Sequence, residues 1–329
     1  MDVTQYRLRE YRDSDYAAEV RVSHRLNPER RHTVDELRRW ATLLGSPPFF
    51  FRRYVVEELS NRVAVGFGGV WTDLDVQDPS RLWVDVEVDP DHQGRGIGRA
   101  LAEQAEREAR GTGSVAVLAQ ARSDRPRDLE FLFRRGFEER RRNWQSRLEL
   151  PAPGYPNFPR RADELARDGV EFTTLADEGP ERIEVRRQVH TLMNAALEDE
   201  PRLGAYTPST YEQFVEWNID APGFLPDAFF LARVGDRYVG ISNLELLPAE
   251  PGVLHQVFTG TVREFRGRGI ASELKRRTVE YGQDHGFRSI RTSNDSLNHP
   301  MWAINEKLGY QREVPRVMGE KRWEAESSS

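Results

Sequence analysis

Apolar and polar positions along this chain fall into blocks whose period switches between two, as in strands, and about 3.6, as in amphipathic helices. Phe229–Val234 and Tyr238–Leu246 are β-prone runs on either side of Gly235-Asp236, a pattern that predicts a hairpin. Val253–Val262 predicts the next strand, Ser272–His285 a helix and Arg288–Thr292 a short strand. Pro300–Leu308 predicts a helix closed by Gly309 in the left-handed position that follows a helix end. The first half of the chain runs through the same order, with a strand at Leu82–Val88 and a helix at Arg99–Arg110. This succession predicts an α+β fold of three layers, α/β/α, with helices on both faces of a mixed, mostly antiparallel sheet.

The two halves match at three markers. Gln93-Gly94-Arg95-Gly96-Ile97-Gly98 corresponds to Arg266-Gly267-Arg268-Gly269-Ile270-Ala271, each between a strand and a helix. Gln93 to Phe137 spans 44 positions, and so does Arg266 to Tyr310, where each copy closes its last helix with a glycine and an aromatic. Upstream, Val65-Gly66-Phe67 matches Val239-Gly240-Ile241 at nearly the same offset. Markers in register predict a duplication. Between the copies, Pro151–Pro159 holds four prolines and a glycine, which excludes a helix or central strand there. The expected organisation is a first domain at 1–150, a semi-rigid linker at 151–163 and a second domain at 164–329, with a frayed polar tail at 324–329.

A strand that turns at once into a helix leaves the first helical amides unpaired, pointing outward at the positive end of the helix dipole. Glycines let a bulky anion approach those amides. Gly94–Arg99 and Gly267–Ser272 are therefore candidate pyrophosphate cradles, with charge added by Arg95, Arg99 and Arg268. A Rossmann loop would place its glycines early in a βαβ unit, and a Walker loop would need Gly-Lys-Ser/Thr; neither pattern is met.

The pattern Gln/Arg-x-x-Gly-x-Gly/Ala, after a strand and ahead of a Leu-Gly-Phe-like helix end, resembles the GNAT acetyltransferase superfamily. Gln93, Gly96 and Gly98 carry the match in copy one, and Arg266, Gly269 and Ala271 in copy two, so the resemblance covers nearly the whole chain. It implies two tandem GNAT folds, in a monomer with an internal pseudo-dimer or in a homodimer, and acetyl-CoA as co-substrate. It also implies that the strand before the motif is bulged and splays from its neighbour. The pantetheine arm then lies in the gap and pairs with free backbone groups. By position these belong to Val86 and Val88 in copy one and to Gly260, Thr261 and Val262 in copy two, with an amide near Val262 as the oxyanion donor. The pyrophosphate is expected against Gln93, Gly94, Arg95, Gly96, Gly98 and Arg99, and against Arg266, Gly267, Arg268, Gly269, Ile270 and Ala271.

The resemblance separates the copies. Asn298 falls where the family often carries a pantetheine-binding asparagine. Seven residues on, where the family often carries the tyrosine that protonates the leaving thiolate, stands Asn305, a candidate catalytic residue that would steady the thiolate by a hydrogen bond. Copy one has Arg125 and Leu132 at these positions, which predicts an active second copy and a catalytically degenerate first one. Glu245 and His255, on the two strands leading to the motif, are candidate general bases. Asp85 and Glu87 stand on the matching strand of copy one. Glu198-Asp199-Glu200 is an acidic run suited to an ammonium group, and Tyr206, Tyr211 and Trp217 are candidate pocket aromatics.

Composition narrows the chemistry further. A length of 329 residues favours two cores over one. The net charge of −6 argues against nucleic acid as a partner. The absence of cysteine excludes disulfides, thiolate metal sites and a cysteine nucleophile, and no metal is expected. The sequence opens without an apolar signal core and holds no run that spans a bilayer, so a cytoplasmic protein with no membrane partner is expected. The reading is an acetyl-CoA-dependent N-acetyltransferase acting on a primary amine of a small molecule. The alternatives are a non-catalytic acyl-CoA sensor or scaffold, and a protein lysine or N-terminal acetyltransferase.

Overall fold

The computed structural model describes residues 1–28 and 31–323; the tail at 324–329 lies outside the described residues. The chain divides into two compact units, one of Met1–Arg142 with the segment from Arg316 on, the other of Asn143–Pro315. The sequence placed the boundary at 150 and gave the last strand to copy two.

In the first unit, β1 (Tyr6–Glu10), β2 (Phe51–Glu58), β3 (Val63–Thr72) and β4 (Arg81–Val88) form an antiparallel run, and β4 pairs in parallel with β5 (Ala116–Arg122). Helices α1 (Tyr16–Leu26) and α2 (Val34–Gly45) precede β2, α3 (Ile97–Gly111) follows β4, and α4 (Pro126–Arg134) follows β5. Strand β6 (Glu138–Glu149) gives residues 138–142 to this unit. Successive strand residues face opposite sides. Tyr54 and Val56 therefore pack with Ile97 and Leu101 of α3, while Val55 packs with Val22 of α1 on the other face. The sheet takes in Arg316–Arg322, which pairs antiparallel with β5 and belongs to this unit.

The second unit opens with residues 143–149 of β6, then α5 (Ala162–Arg167), β7 (Val170–Thr174), α6 (Leu175–Glu178), α7 (Ile183–Leu197) and α8 (Tyr211–Phe214). Strands β8 (Phe224–Val234), β9 (Arg237–Leu246) and β10 (Val253–Thr261) follow, then α9 (Ile270–Asp284), β11 (Ser289–Asp295), α10 (His299–Leu308) and β12 (Gln311–Arg312). Strands β7 to β10 are antiparallel neighbours, β10 and β11 are parallel, and β11 runs antiparallel to β6. The segment Arg316–Arg322 named above is β13. The Pro-rich stretch packs rather than bridges: Ala152 and Phe158 are buried in a core of this unit with Leu254, Ile290 and Leu308.

Candidate active site

The site begins where two parallel strands part. Strand β10 pairs with β11 only through Val253–Ser289, Leu254–Ile290 and His255–Arg291. Beyond that fork β11 stays with β6 and β10 stays with β9, which opens a gap between them. The β9–β10 register shifts between Gln256 and Phe258, so Val257 is an extra residue that kinks β10 away. Gln256 holds the kink. It is 2% exposed, and its Nε2 donates to Asn243 O at 2.8 Å, Phe258 O at 3.1 Å and Ser242 Oγ at 3.2 Å. Its Oε1 accepts from Thr278 Oγ1 of α9 at 2.9 Å.

The ladder decides which amides face the gap. Val262 N donates to Val239 O at 3.0 Å, so the amide expected to serve an oxyanion is held within the sheet. Antiparallel alternation then turns the N–H groups of Gly260 and Phe258 toward β9 and those of Thr259 and Thr261 into the gap. Thr261 Oγ1, which lines the gap, is buried without a hydrogen-bond partner among the described residues. The cavity here is about 670 Å³, and Thr259, Gly260, Gly267, Gly269, Lys275 and Asn298 are among the residues lining it.

At its head, Gly267 (φ +77°) and Gly269 (φ +91°) take left-handed conformations, and α9 starts at Gly269 without a side-chain cap. The amides at this helix start are thus open to an anion. Helices α2 and α8, by contrast, close theirs with Thr33 and Thr210.

The motif arginines do other work. Arg266 Nε donates to Thr261 O at 2.9 Å and its Nη1 pairs with Asp199 at 2.7 Å, fastening the loop to the strand. Arg268 donates to Glu264 O and lies over Phe265. The cation at the loop is Arg161, whose Cδ stands 2.7 Å and Nε 3.2 Å from where a Gly269 Cβ would be. It comes from the Pro-rich stretch and was missed in the sequence, where no motif marks it. The acidic run is likewise engaged: Asp199 also pairs with Arg263, and Glu200 pairs with Arg202. Tyr206 donates to Asn194 Oδ1, and Tyr211 lies under Arg187.

Asn298 caps α10, its Oδ1 accepting from Met301 N, and lines the cavity. Asn305 is fully buried, its Nδ2 donating to Asn294 Oδ1 at 2.7 Å while its Oδ1 accepts from Lys275 Nζ. Burial alone pushes the Lys275 ammonium down to about 7. Glu245 and His255 pair across β9 and β10, with His255 Nδ1 2.8 Å from Glu245 Oε1, each side chain about a third exposed. They stand at the fork and are not among the residues that line the cavity.

Copy one keeps the frame without these fittings. Strand β4 also leaves β5 after three pairs, and Asp89 N donates to Val65 O, so the Val86 and Val88 amides turn away from β3, the Val86 amide donating to Asp85 Oδ1 at 2.9 Å. Its β3–β4 register runs without a shift. Gln93 Nε2 donates to Val88 O at 3.1 Å, the counterpart of the Arg266–Thr261 tie. Arg95 donates to Tyr6 OH and Arg99 pairs with Glu103. Gly94 and Gly96 are left-handed, but the Met1 nitrogen lies 2.6 Å from where a Gly96 Cβ would be. Gly98 faces Val86, Val88 and Phe131 side chains. Arg125 donates to Leu26 O and Leu132 is buried in the core. A recess of this unit of about 60 Å³ is lined by Glu19, Arg53, Trp71, Asp85 and Glu87, away from the glycine loop. Burial first, then Asp85, pushes the Glu87 carboxyl up to about 8.

Comparison with known proteins agrees with this geometry. The model of the acetyltransferase (GNAT) family matches the chain twice, over residues 8–137 and 189–310. The mycothiol acetyltransferase of Nocardiopsis dassonvillei is 28% identical over 247 residues, 69% of this chain and 70% of that protein. A tandem GNAT protein from the clavulanic acid biosynthesis pathway superposes with a TM-score of 0.72 at 18% identity, covering 97% of this chain and 98% of the other. A GCN5-related N-acetyltransferase from Sphaerobacter thermophilus does so with 0.71 at 19% identity, covering 96% and 95%. At such identities the structural likeness is one of fold. With two matched segments that together span most of its length, the chain belongs to the GNAT family of acetyltransferases and is an N-acetyltransferase.

Proposed function

We propose that the second unit moves the acetyl group of acetyl-CoA directly onto a primary amine of a small molecule. The observation that carries this reading is the gap between β10 and β11, continuous with the capless start of α9. Its polar inventory fits a pantetheine diphosphate: outward amides at Thr259 and Thr261, an unpartnered Thr261 hydroxyl, open helix amides and a nearby guanidinium. Acetyl-CoA supplies the thioester that the amine attacks. Arg161 and the amides from Gly267 to Ser272 hold the phosphates. The Thr259 and Thr261 amides orient the arm, and one of them meets the carbonyl oxygen. His255, held by Glu245 through Nδ1, presents Nε2 as the base for the incoming ammonium. The name of the mycothiol acetyltransferase relatives supports a small-molecule acceptor.

The chain has no cysteine, so any thiol that appears with acetyl-CoA is CoA itself. Thiol release is therefore followed with amino sugars, amino acids and polyamines, and with lysine peptides in parallel. At least about tenfold stimulation by a small amine is expected, well within what a positioned base contributes. Stimulation by peptides alone would make the protein a macromolecular acetylase, and none by any amine would favour an acyl-CoA sensor.

A further inference from the structure

The two copies keep a constant offset of 173 positions from the glycine motif to the end of the last helix, as Gln93 to Arg266 and Phe137 to Tyr310 show. At seven buried positions along this register copy one is apolar and copy two is polar, and four of them form one connected cluster in copy two. Ala102, Ala121, Leu132 and Phe137 become Lys275, Asn294, Asn305 and Tyr310, and all eight side chains are buried. The fold therefore closes at these places with apolar side chains. A buried ammonium with no carboxylate opposes folding, so its presence calls for a cause other than packing.

Its surroundings are specific. Lys275 Nζ donates to Asn305 Oδ1, lies 3.8 Å from Met301 Sδ and stands 4.8 Å from the Tyr310 ring centre. From β11 Asn294 braces Asn305, and on α9 the Thr278 hydroxyl lies between the Lys275 backbone carbonyl and Gln256 Oε1 of β10. Among the described residues, no charged group acts on Lys275, and Tyr310 is the titratable one against it. Lys275, Asn294 and Met301 all line the cavity.

We propose that Lys275 gives a proton to the CoA sulfur as it leaves, while Asn305, at the position where a tyrosine would do this, holds the Lys275 ammonium in place. This rests on the acyl-CoA reading above. The C–N bond forms and the C–S bond breaks. The sulfur takes the Lys275 proton, the amine's proton passes to His255 or water, and Lys275 regains a proton from solvent through the cavity.

The chain has only three lysines, Lys275, Lys307 and Lys321, so isotope-labelled lysine gives three signals and Lys275→Met assigns one. The Lys275 signal is titrated in the whole protein, alone, with CoA and with desulfo-CoA, which lacks the sulfur. A nearby thiolate favours the ammonium, so CoA is expected to raise the midpoint by roughly one pH unit more than desulfo-CoA. Equal midpoints with both ligands bound would overturn the proposal alone. Failure of both to bind would overturn the acyl-CoA reading as well. Lys275→Met is expected to melt no lower than wild type, because Ala102 fills the sister position. A clear loss of stability would mark Lys275 as structural and count against the proposal.

Discussion

Replacing Gln256 with leucine tests how the gap is built. Leucine has similar bulk, so the change removes polarity and leaves volume nearly alone. The two N–H donors that Gln256 shares among Asn243 O, Phe258 O and Ser242 Oγ disappear, as does the bond accepted from Thr278 Oγ1. At about 1 kcal/mol net for each of these three buried bonds, the loss is about 3 kcal/mol. Leucine recovers about 1 kcal/mol through added apolar burial. The net cost of about 2 kcal/mol lowers the melting temperature of a unit this size by about 4–8 °C. The relevant transition is the one that acetyl-CoA raises, since a ligand stabilises the unit that binds it. With the bulge no longer pinned, β10 can settle toward β11, and KM for acetyl-CoA is expected to rise about tenfold. A melting shift under about 2 °C with unchanged KM would show that Val257 kinks the strand without help from Gln256.

The other predictions concern charge and catalysis. In calorimetric titration, Gly269→Glu is expected to abolish acetyl-CoA binding and Gly96→Glu to leave it intact, because only the second loop opens onto the large cavity; one site lost from two in each variant would make copy one a true acyl-CoA site. Arg161→Ala removes the guanidinium at Gly269 and is expected to weaken acetyl-CoA binding about fivefold, with a shallower salt dependence. Unchanged affinity would assign the phosphates to backbone amides alone. Glu245→Gln is expected to lower kcat/KM about 10²-fold at neutral pH, and a change under threefold would remove the His255–Glu245 pair from the chemistry. The Lys275 ammonium is depressed in the folded protein, so from about pH 7 upward toward the ordinary lysine value the unfolded chain binds more protons. Wild type should therefore gain about 1 kcal/mol per pH unit relative to Lys275→Met in that window. A flat difference would mean that Lys275 titrates normally.

Much of the frame was legible from residues in the chain, and the reasons differ from place to place. The glycine motif could be read because the turn from strand to helix needs Gly267 and Gly269 in backbone states closed to most residues. The duplication was legible through spacing. The oxyanion amide was misplaced at Val262 because sequence shows neither the phase of a ladder nor its bulge; one extra residue, Val257, decides which N–H groups face the gap. The motif arginines misled because charge near a cradle reads as a ligand, whereas Arg266 satisfies the Thr261 carbonyl at the end of β10 and Arg268 the Glu264 carbonyl of its own loop. Arg161 was hidden by distance along the chain. The Lys275 cluster left a trace, since the register of the two copies sets Ala102 beside Lys275, but only burial gives that comparison force.

The placement of β13 bears on synthesis. Unit one holds residues up to Arg142 and then the strand Arg316–Arg322, so its sheet stays unfinished while all of Asn143–Pro315 is being made. During that interval the side of β5 that Arg316–Arg322 will occupy is an open edge bearing Val117, Leu118 and Ala119, a template for stray pairing with other nascent chains. The second copy is thus free to fold on the ribosome before the first, reversing the usual order in which domains emerge and settle. The same arrangement binds the copies genetically. A cut at the Pro-rich stretch would leave unit one without β13, so the first copy cannot be shed by dividing the chain there. Its persistence needs no catalytic role of its own.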